Sequence, residues 1–383
     1  MVKTCPGKEM LLALAHDGRF YEHSIATGIT RDITDYVCDL LKEPIDKVLS
    51  EIYVVSRTFA VRTDNKIVIV SYPSPLMEAL SGSSQPATFL FIFKHKIDMI
   101  SLHPKYGLVR VDGRLGLIGQ QPFSRDPTRS LSSPIIEILF DDAKSIAEII
   151  CNDHYILLRM IDGRVFACGA AHHIPTDNTD WFRQVQFGKI EFITKIACDN
   201  YHTFYITSDG SHYHADVSRH QPHTQGLNPT PTQFLGLDKC FIEDAFMLGH
   251  SIAVLHDGGK LSLVGLHSLP PGLSYYGLAI YSRLSGINRC HVIVPVSLPG
   301  ALGITAVTRS GSHLYITADS TQVYICDIIA KGHVPPGHPG HIDYVIDDKK
   351  LRRIEFFDRN PIAAHDGSTQ IRSAGNVIKG LVV

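Results

Sequence analysis

The segment IAEIICNDHYILLRMIDGRVFACG, residues 146–169, decides the fold. At its centre an Asp-Gly pair, Asp162-Gly163, separates two apolar runs, YILLRM and RVFACG. Asp-Gly between short apolar runs is a strong local signal for a β-hairpin, because a type I′ turn needs positive φ at both central residues. The flanking runs alternate or stay apolar over five or six positions, as strands do. Upstream, Ile146 and Ile149 are three apart, a spacing that would suit a helical turn. However, Ile150 and Cys151 run straight on into the hairpin, so a short inner strand is expected. One unit therefore reads as a strand, a hairpin and then a variable connector.

The unit recurs. Comparable turns fall at Asp17, Asp64, Asp112, Asp162, Asp209, Asp257, Asp319 and Asp366, giving successive intervals of 47, 48, 50, 47, 48, 62 and 47. Six of these turns are Asp-Gly, one is Asp64-Asn65 and one is Asp319-Ser320. Seven carry the upstream strand signature, for example IDKV from Ile45, IDMI from Ile97, ITKI from Ile193 and ITAV from Ile304. The connectors carry a weaker outer strand, such as TRDITDYV from Thr30. Steady repetition near 50 residues marks a repeat architecture, and three or four strands per unit arranged radially make a β-propeller blade.

Composition agrees with an all-β body and excludes several functions. The chain has 383 residues, 44% of them hydrophobic and 19% charged, with a formal net charge of -2. That supports a sizeable core and gives no electrostatic reason to expect nucleic acid. The N-terminal apolar stretch is too short for a signal peptide or a membrane span. Eight cysteines stand without Cys-x-x-Cys spacing, and Cys151 and Cys198 occupy the same slot one period apart. They read as reduced core thiols, which points to the cytoplasm or nucleus.

A single Trp argues against WD-type repeats, and a lone Gly-Gly doublet, Gly258-Gly259, argues against kelch-type ones. The phrase Ile-x-x-Ile, Ala-Cys, a following His, an apolar strand, Asp-Gly and Arg-Val-Phe-Ala-Cys-Gly resembles the repeat of the regulator of chromosome condensation family. The copies from Ile146 and Ile193 carry it best. The resemblance implies one propeller domain over 1–383, with seven blades favoured and eight suggested by the hairpin count. The first hairpin lacks an upstream signature, so the C-terminal NVIKGLVV is expected to pair with the N-terminal segment and close the ring. Asn152 and Asp199 stand where the family has Gly, which marks a divergent member.

Candidate sites are few. There is no phosphate-binding Gly-rich loop, no GxSxG elbow and no HExxH helix, so neither catalysis nor a cofactor is expected. His212 and His214, with His220 and His223 nearby, read as a solvated strand face in preference to a zinc site. His333, His338 and His341 read as a surface connector. His154, His202, His250 and His313 stand near the start of the hairpins and read as structural. The turn aspartates read as backbone-shaping.

The 62-residue interval places extra chain within 266–300. That stretch is either a longer outer strand or a partner-binding loop carrying Tyr275, Tyr276, Tyr281, Arg283 and Arg289, residue types that dominate interface hot spots. Trp181, in the connector 170–188, is a further candidate anchor. The expected function is a monomeric, non-enzymatic protein–protein interaction scaffold. The family resemblance implies as the alternative a guanine nucleotide exchange factor for a Ran-like small GTPase, acting by preferring the nucleotide-free state.

Overall fold

The computed structural model describes residues 2–5, 10–14, 19–24, 29–42, 52–55, 58–71, 87–103, 106–119, 135–152, 155–169, 182–187, 192–198, 202–216, 229–235, 237, 240–247, 251–265, 288–296, 304–310, 313–318, 322–332, 342–346 and 352–353. They fall into two compact units divided between Gln184 and Val185.

The first unit holds four antiparallel four-stranded meanders. They are β1 (Val2–Cys5), β2 (Met10–Leu14), β3 (Phe20–Ser24) and β4 (Thr30–Asp32); β5 (Ile52–Val55), β6 (Thr58–Arg62), β7 (Lys66–Ser71) and β8 (Ala87–Ile92); β9 (Ile97–Leu102), β10 (Tyr106–Val111), β11 (Arg114–Gly119) and β12 (Ile135–Ile138); and β13 (Ile146–Cys151), β14 (Tyr155–Met160), β15 (Val165–Gly169) and β16 (Arg183–Gln184).

The second unit holds three more. β17 (Ile193–Cys198), β18 (His202–Thr207), β19 (His212–Asp216) and β20 (Thr230–Leu235) form the first of these. β21 (Ile242–Met247), β22 (Ser251–His256), β23 (Lys260–Gly265) and β24 (Asn288–Val296) form the second. β25 (Ile304–Ser310), β26 (His313–Ala318), β27 (Gln322–Gly332) and β28 (Ile342–Ile346) follow, with β29 (Arg352–Arg353) also on β27. Seven meanders are thus present among the described residues. The eighth hairpin, at Asp366, and the segment NVIKGLVV lie outside them.

The inner strands explain the Ile-x-x-Ile signature. Strict alternation would put residues three apart on opposite faces. In β13 the register slips between Ile146, paired with Met160, and Glu148, paired with Arg159, and the extra residue returns Ile149 to the face of Ile146. Both are buried in one core. The same slip recurs at Ile193/Lys195, Ile242/Asp244 and Ile304/Ala306.

Cores lie between neighbouring meanders. Tyr106, Leu108 and Leu117 of β9–β12 pack with Ile149, Ile156, Leu158 and Cys168 of β13–β16. Phe204 and Ile206 pack with Ala245, Met247 and Val254, while Leu255 and Leu261 pack with Leu314, Ile316 and Cys326. Cys151 and Cys198 share one slot, opposite Ile156 and Thr203. The described cysteines 38, 151, 168, 198, 240 and 326 are unbridged, and burial lifts the Cys151 thiol to about 12.

Four expectations are corrected. TRDITDYV is only half strand: β4 stops at Asp32, and α1 (Thr34–Leu41) follows. Asp32 Oδ1 accepts the Thr34 N–H at 2.9 Å, satisfying one orphan donor of the helix end, while Val37 and Leu41, four apart, are fully buried.

The second correction is that the first meander has its inner strand from the start, since β1 pairs with β2. No strand from NVIKGLVV is needed there.

The third concerns the turns, which differ in type. Asp112-Gly113, with φ of 51° and 70°, fits the two-residue form. Asp64 and Asn65 lack positive φ. In the turns at Asp162 and Asp209 only the Gly has positive φ, and Met160 N–H to Arg164 O and Thr207 N–H to Ser211 O close three-residue loops.

The last is His214, which is buried and not solvated.

Candidate functional site

The turn-side edge of the sheets, where each inner strand begins and each central hairpin turns, carries the features that the core does not need. The residue just before an inner strand is tied to the turn of its own sheet. Ser145 O accepts from Ile161 N–H, Phe192 O from Ser208 N–H and Phe241 O from Asp257 N–H. The residues so placed include large exposed hydrophobics: Ile161 at 65%, Phe192 at 46% and Phe241 at 58% exposure. A Cβ at Gly210 would lie 3.5 Å from the Phe241 ring, so that ring rests over the turn of the preceding sheet while presenting its other side to solvent.

Beside Phe241 lies a compact polar cluster made by β21, β22 and β23. Asp257, in the left-handed region at φ 45°, accepts the Phe241 N–H at 3.0 Å through Oδ1. Its Oδ2 faces His256 Nδ1 at 3.4 Å. The other ring nitrogen, Nε2, is 3.0 Å from Ser262 Oγ. The Cys240 thiol and then the Phe241 N–H hold the Asp257 carboxyl below its ordinary range, with His256 adding to them. Cys240, His256 and Asp257 bring one potential metal-ligand atom each to within 4.8 Å of one another. Glu243, at the bulge of β21, accepts the Gly258 N–H, as Asp98 in the same slot of β9 accepts the Gly113 N–H at 3.1 Å.

Ser262, His256 and Asp257 form a Ser-His-Asp chain, but it is not a hydrolytic triad. Ser262 is 3% exposed, on a core strand, where no substrate carbonyl can reach it. Its hydroxyl orients the imidazole. Sequence reading assigned Asp257 to turn geometry alone and passed over Cys240 and His256. The available signal was His-Asp-Gly at the turn, present here and at His16-Asp17 and His365-Asp366 but absent from the other five turns.

A second polar pair is buried in the same unit. His202 opens β18 and stacks on His214 of β19, with 3.2 Å between His202 Nδ1 and His214 Nε2. Burial lowers His214 to about 4, so it is neutral at physiological pH. His313 opens β26 in the slot of His202. His154 and His250, one residue ahead of that slot, lie outside the described residues, as do His220, His223, His333, His338 and His341.

Polar side chains elsewhere tie sheet to sheet. Arg62 Nη1 donates to Ile97 O at 2.8 Å, and Arg110 Nη1 to Ile146 O at 2.5 Å, each reaching the first residue of the next inner strand. Tyr106 Oη donates to Asn152 O at 2.6 Å, while Asn152 Oδ1 accepts the Tyr155 N–H at 2.8 Å. The Asn in place of the family's Gly therefore caps, through its side chain, the backbone N–H at which β14 begins. Lys195 and Asp244 pair at 3.1 Å between β17 and β21.

Of the partner-binding candidates, Arg289 lies on β24, in register with Gln233 of β20. Tyr275, Tyr276, Tyr281, Arg283 and Trp181 lie outside the described residues.

No protein-family model matches the chain, and no curated protein matches its sequence. Solved structures do match its fold. Prp20p of Saccharomyces cerevisiae, the yeast RCC1, aligns at TM-score 0.52 and 16% identity over 78% of this chain and 75% of that one. Human WBSCR16 aligns at 0.51 and 14% over 70% and 74%. Hsv2 of Kluyveromyces lactis aligns at 0.51 and 9% over 90% and 96%. These likenesses establish the fold: an all-β chain of propeller type, whose RCC-type repeat signature is matched by an RCC1 structure at low identity. For Prp20p, binding properties towards Gsp1p and histones are described, and it has been solved bound to Kap60.

Proposed function

We propose that this chain is a non-enzymatic protein–protein interaction scaffold, one RCC-type β-propeller domain of seven blades spanning 1–383. The observation that carries this reading is the separation of its side chains by role. Polar side chains such as Arg62 and Tyr106, buried, and Arg110 and Lys195, half-buried, hold neighbouring sheets together within each unit, whereas Phe192 and Phe241 of the second unit stand exposed where inner strands begin, as Ile161 does at a hairpin turn of the first. Rigidly mounted aromatic side chains on an otherwise polar edge suit the centre of a protein interface.

The stretch 266–300, with Tyr275, Tyr276, Tyr281, Arg283 and Arg289, and the connector with Trp181 supply further contacts in this reading. Described helices include none long and apolar enough to cross a membrane.

The test is affinity capture followed by binding measurement with purified partner. Phe241→Asp together with Phe192→Asp should weaken binding at least tenfold, about 1.4 kcal/mol or more, with melting unchanged. Deletion of 270–290 should weaken it separately. Binding indifferent to both changes overturns the reading.

A second reading, nucleotide exchange on a Ran-like small GTPase, is favoured by the likeness to Prp20p, described as binding Gsp1p. Release of a fluorescent guanine nucleotide from such a GTPase decides it: no acceleration above the spontaneous rate removes exchange and leaves the scaffold.

A further inference from the structure

The cluster at the start of β21 has more donor chemistry than a turn requires. Backbone geometry at Asp257 is already served by the Phe241 N–H and by Glu243 on Gly258, as the matching turn at Gly113 is served by Asp98; there His95 faces Asp112 at 4.0 Å, but among the described residues no Cys joins them in a group of three ligand atoms. Cys240 Sγ, a His256 ring nitrogen and an Asp257 carboxylate oxygen nevertheless converge within 4.8 Å. We propose that Cys240, His256 and Asp257 form a mononuclear zinc-class metal site on the turn-side edge.

The donor set suits that ion, since a thiolate with an imidazole selects borderline-soft divalent metals over magnesium or calcium. Tetrahedral coordination puts ligand atoms about 3.5 Å apart, so closing from the present spread takes movements of about 1 Å. The His256–Asp257 pair already stands at 3.4 Å. Cys240 is half-buried at a strand entrance and the Asp257 side chain is 34% exposed, so both sit where such movement is open to them.

The surroundings have the form of an outer shell. Ser262 Oγ, buried in the core, fixes the ring through Nε2 and turns Nδ1 towards Asp257, and the Phe241 N–H orients the carboxylate through Oδ1. Binding releases the thiol proton to solvent, and a proton on Nδ1 is exchanged for one on Nε2 that Ser262 Oγ accepts. Three protein ligands leave a fourth position to water at the exposed side.

This inference does not depend on the scaffold reading, and its test uses the metal alone. Full-length protein, stripped with a chelator, is titrated with Zn(II) by calorimetry and with Co(II) by absorption. The expected result is one ion per chain and a cobalt–thiolate charge-transfer band. Cys240→Ser should abolish the band. Asp257→Asn, which keeps a residue tolerant of left-handed φ, should weaken zinc binding at least tenfold, and Ser262→Ala should weaken it about 10–100-fold by loosening the ring. Far-UV circular dichroism and melting establish that each variant is folded; if Cys240→Ser is not, Asp257→Asn carries the test. Absence of one-to-one binding, a missing thiolate band, or affinity unchanged in Asp257→Asn overturns the site.

Discussion

The sheets β9–β12 and β13–β16 are joined to each other differently from β17–β20 and β21–β24, although the same repeat builds both pairs. In the first pair side chains do the joining: a shared apolar core, Arg110 on the carbonyl of Ile146 and Tyr106 on that of Asn152. The second pair also shares an apolar core, but its polar link is an ion pair, Lys195–Asp244, between β17 and β21, and the outer strands add a backbone ladder. There β20 and β24 run parallel, with Thr232 opposite Asn288 and Leu235 opposite His291. The two meanders thereby become one eight-stranded sheet. The difference follows from the 62-residue interval: β24 is nine residues long, enough to pair with β23 on one side and β20 on the other. An irregular repeat changes how neighbours are held while each meander keeps its form.

The largest difference between the two pairs should be in pH response. The slots of Tyr155 and Ala167 in β14 and β15 are those of His202 and His214 in β18 and β19. His214 falls from its ordinary 6.5 to about 4 through burial. Between those values the unfolded chain takes a proton that the folded chain refuses, so stability is full above 6.5 and drops as pH falls towards 4. The slope is at most about 1.4 kcal/mol per unit, and the loss totals about 3 kcal/mol. Urea denaturation from pH 7 to 4 should show the slope reduced in His214→Ala, which installs the residue of the matching β15 slot. An unchanged slope would count against neutral burial of this histidine.

The links themselves come next. Arg110→Met should cost about 2 kcal/mol, because it strips the donors from carbonyls at the start of β13. Lys195→Met should cost about 1 kcal/mol, since Ala245 N–H still donates to Asp244 and the β20–β24 ladder remains. Equal costs by chemical denaturation would break the distinction between the two kinds of joint.

The smallest effect separates two turns. Gly258→Ala meets open space and pays only for left-handed φ at +76°, about 1 kcal/mol. Gly113→Ala, at +70°, also drives its Cβ to 2.5 Å from Lys144 Cγ and should lower the melting temperature further. The reverse order would mean that Lys144 does not lie over that turn.

The period, the hairpins, the shared Cys151 and Cys198 slot and the all-β class were legible because each follows from a local pattern repeated several times. The Ile-x-x-Ile spacing was legible as a strand start, but its cause, a bulge that restores the face, needed the pairing. The helix at Thr34 was missed because Thr, Ile, Tyr and Val favour strands; what decides it is burial of Val37 and Leu41 and the Asp32 contact with Thr34 N–H. Turn type was misread where Ile161 and Ser208 lengthen the loop by one residue, a change that the shared Asp-Gly conceals. The Cys240–His256–Asp257 cluster depends on strands brought together in space, so periodicity could discount its aspartate but not reveal its neighbours. Burial of His214 was equally out of reach, since alternation assigns a strand two faces without saying which is covered.

The parallel seam also sets an order of events. β17 to β20 can form their meander as soon as that stretch of chain exists, but the free side of β20 has to wait for β24, more than a full repeat later in synthesis. Until then β20 is an unpaired edge, open to the wrong strand. Closing a contact of such long range is slow, so the seam should be among the last parts of this unit to assemble, and the period before it closes is when the nascent protein is most exposed to aggregation.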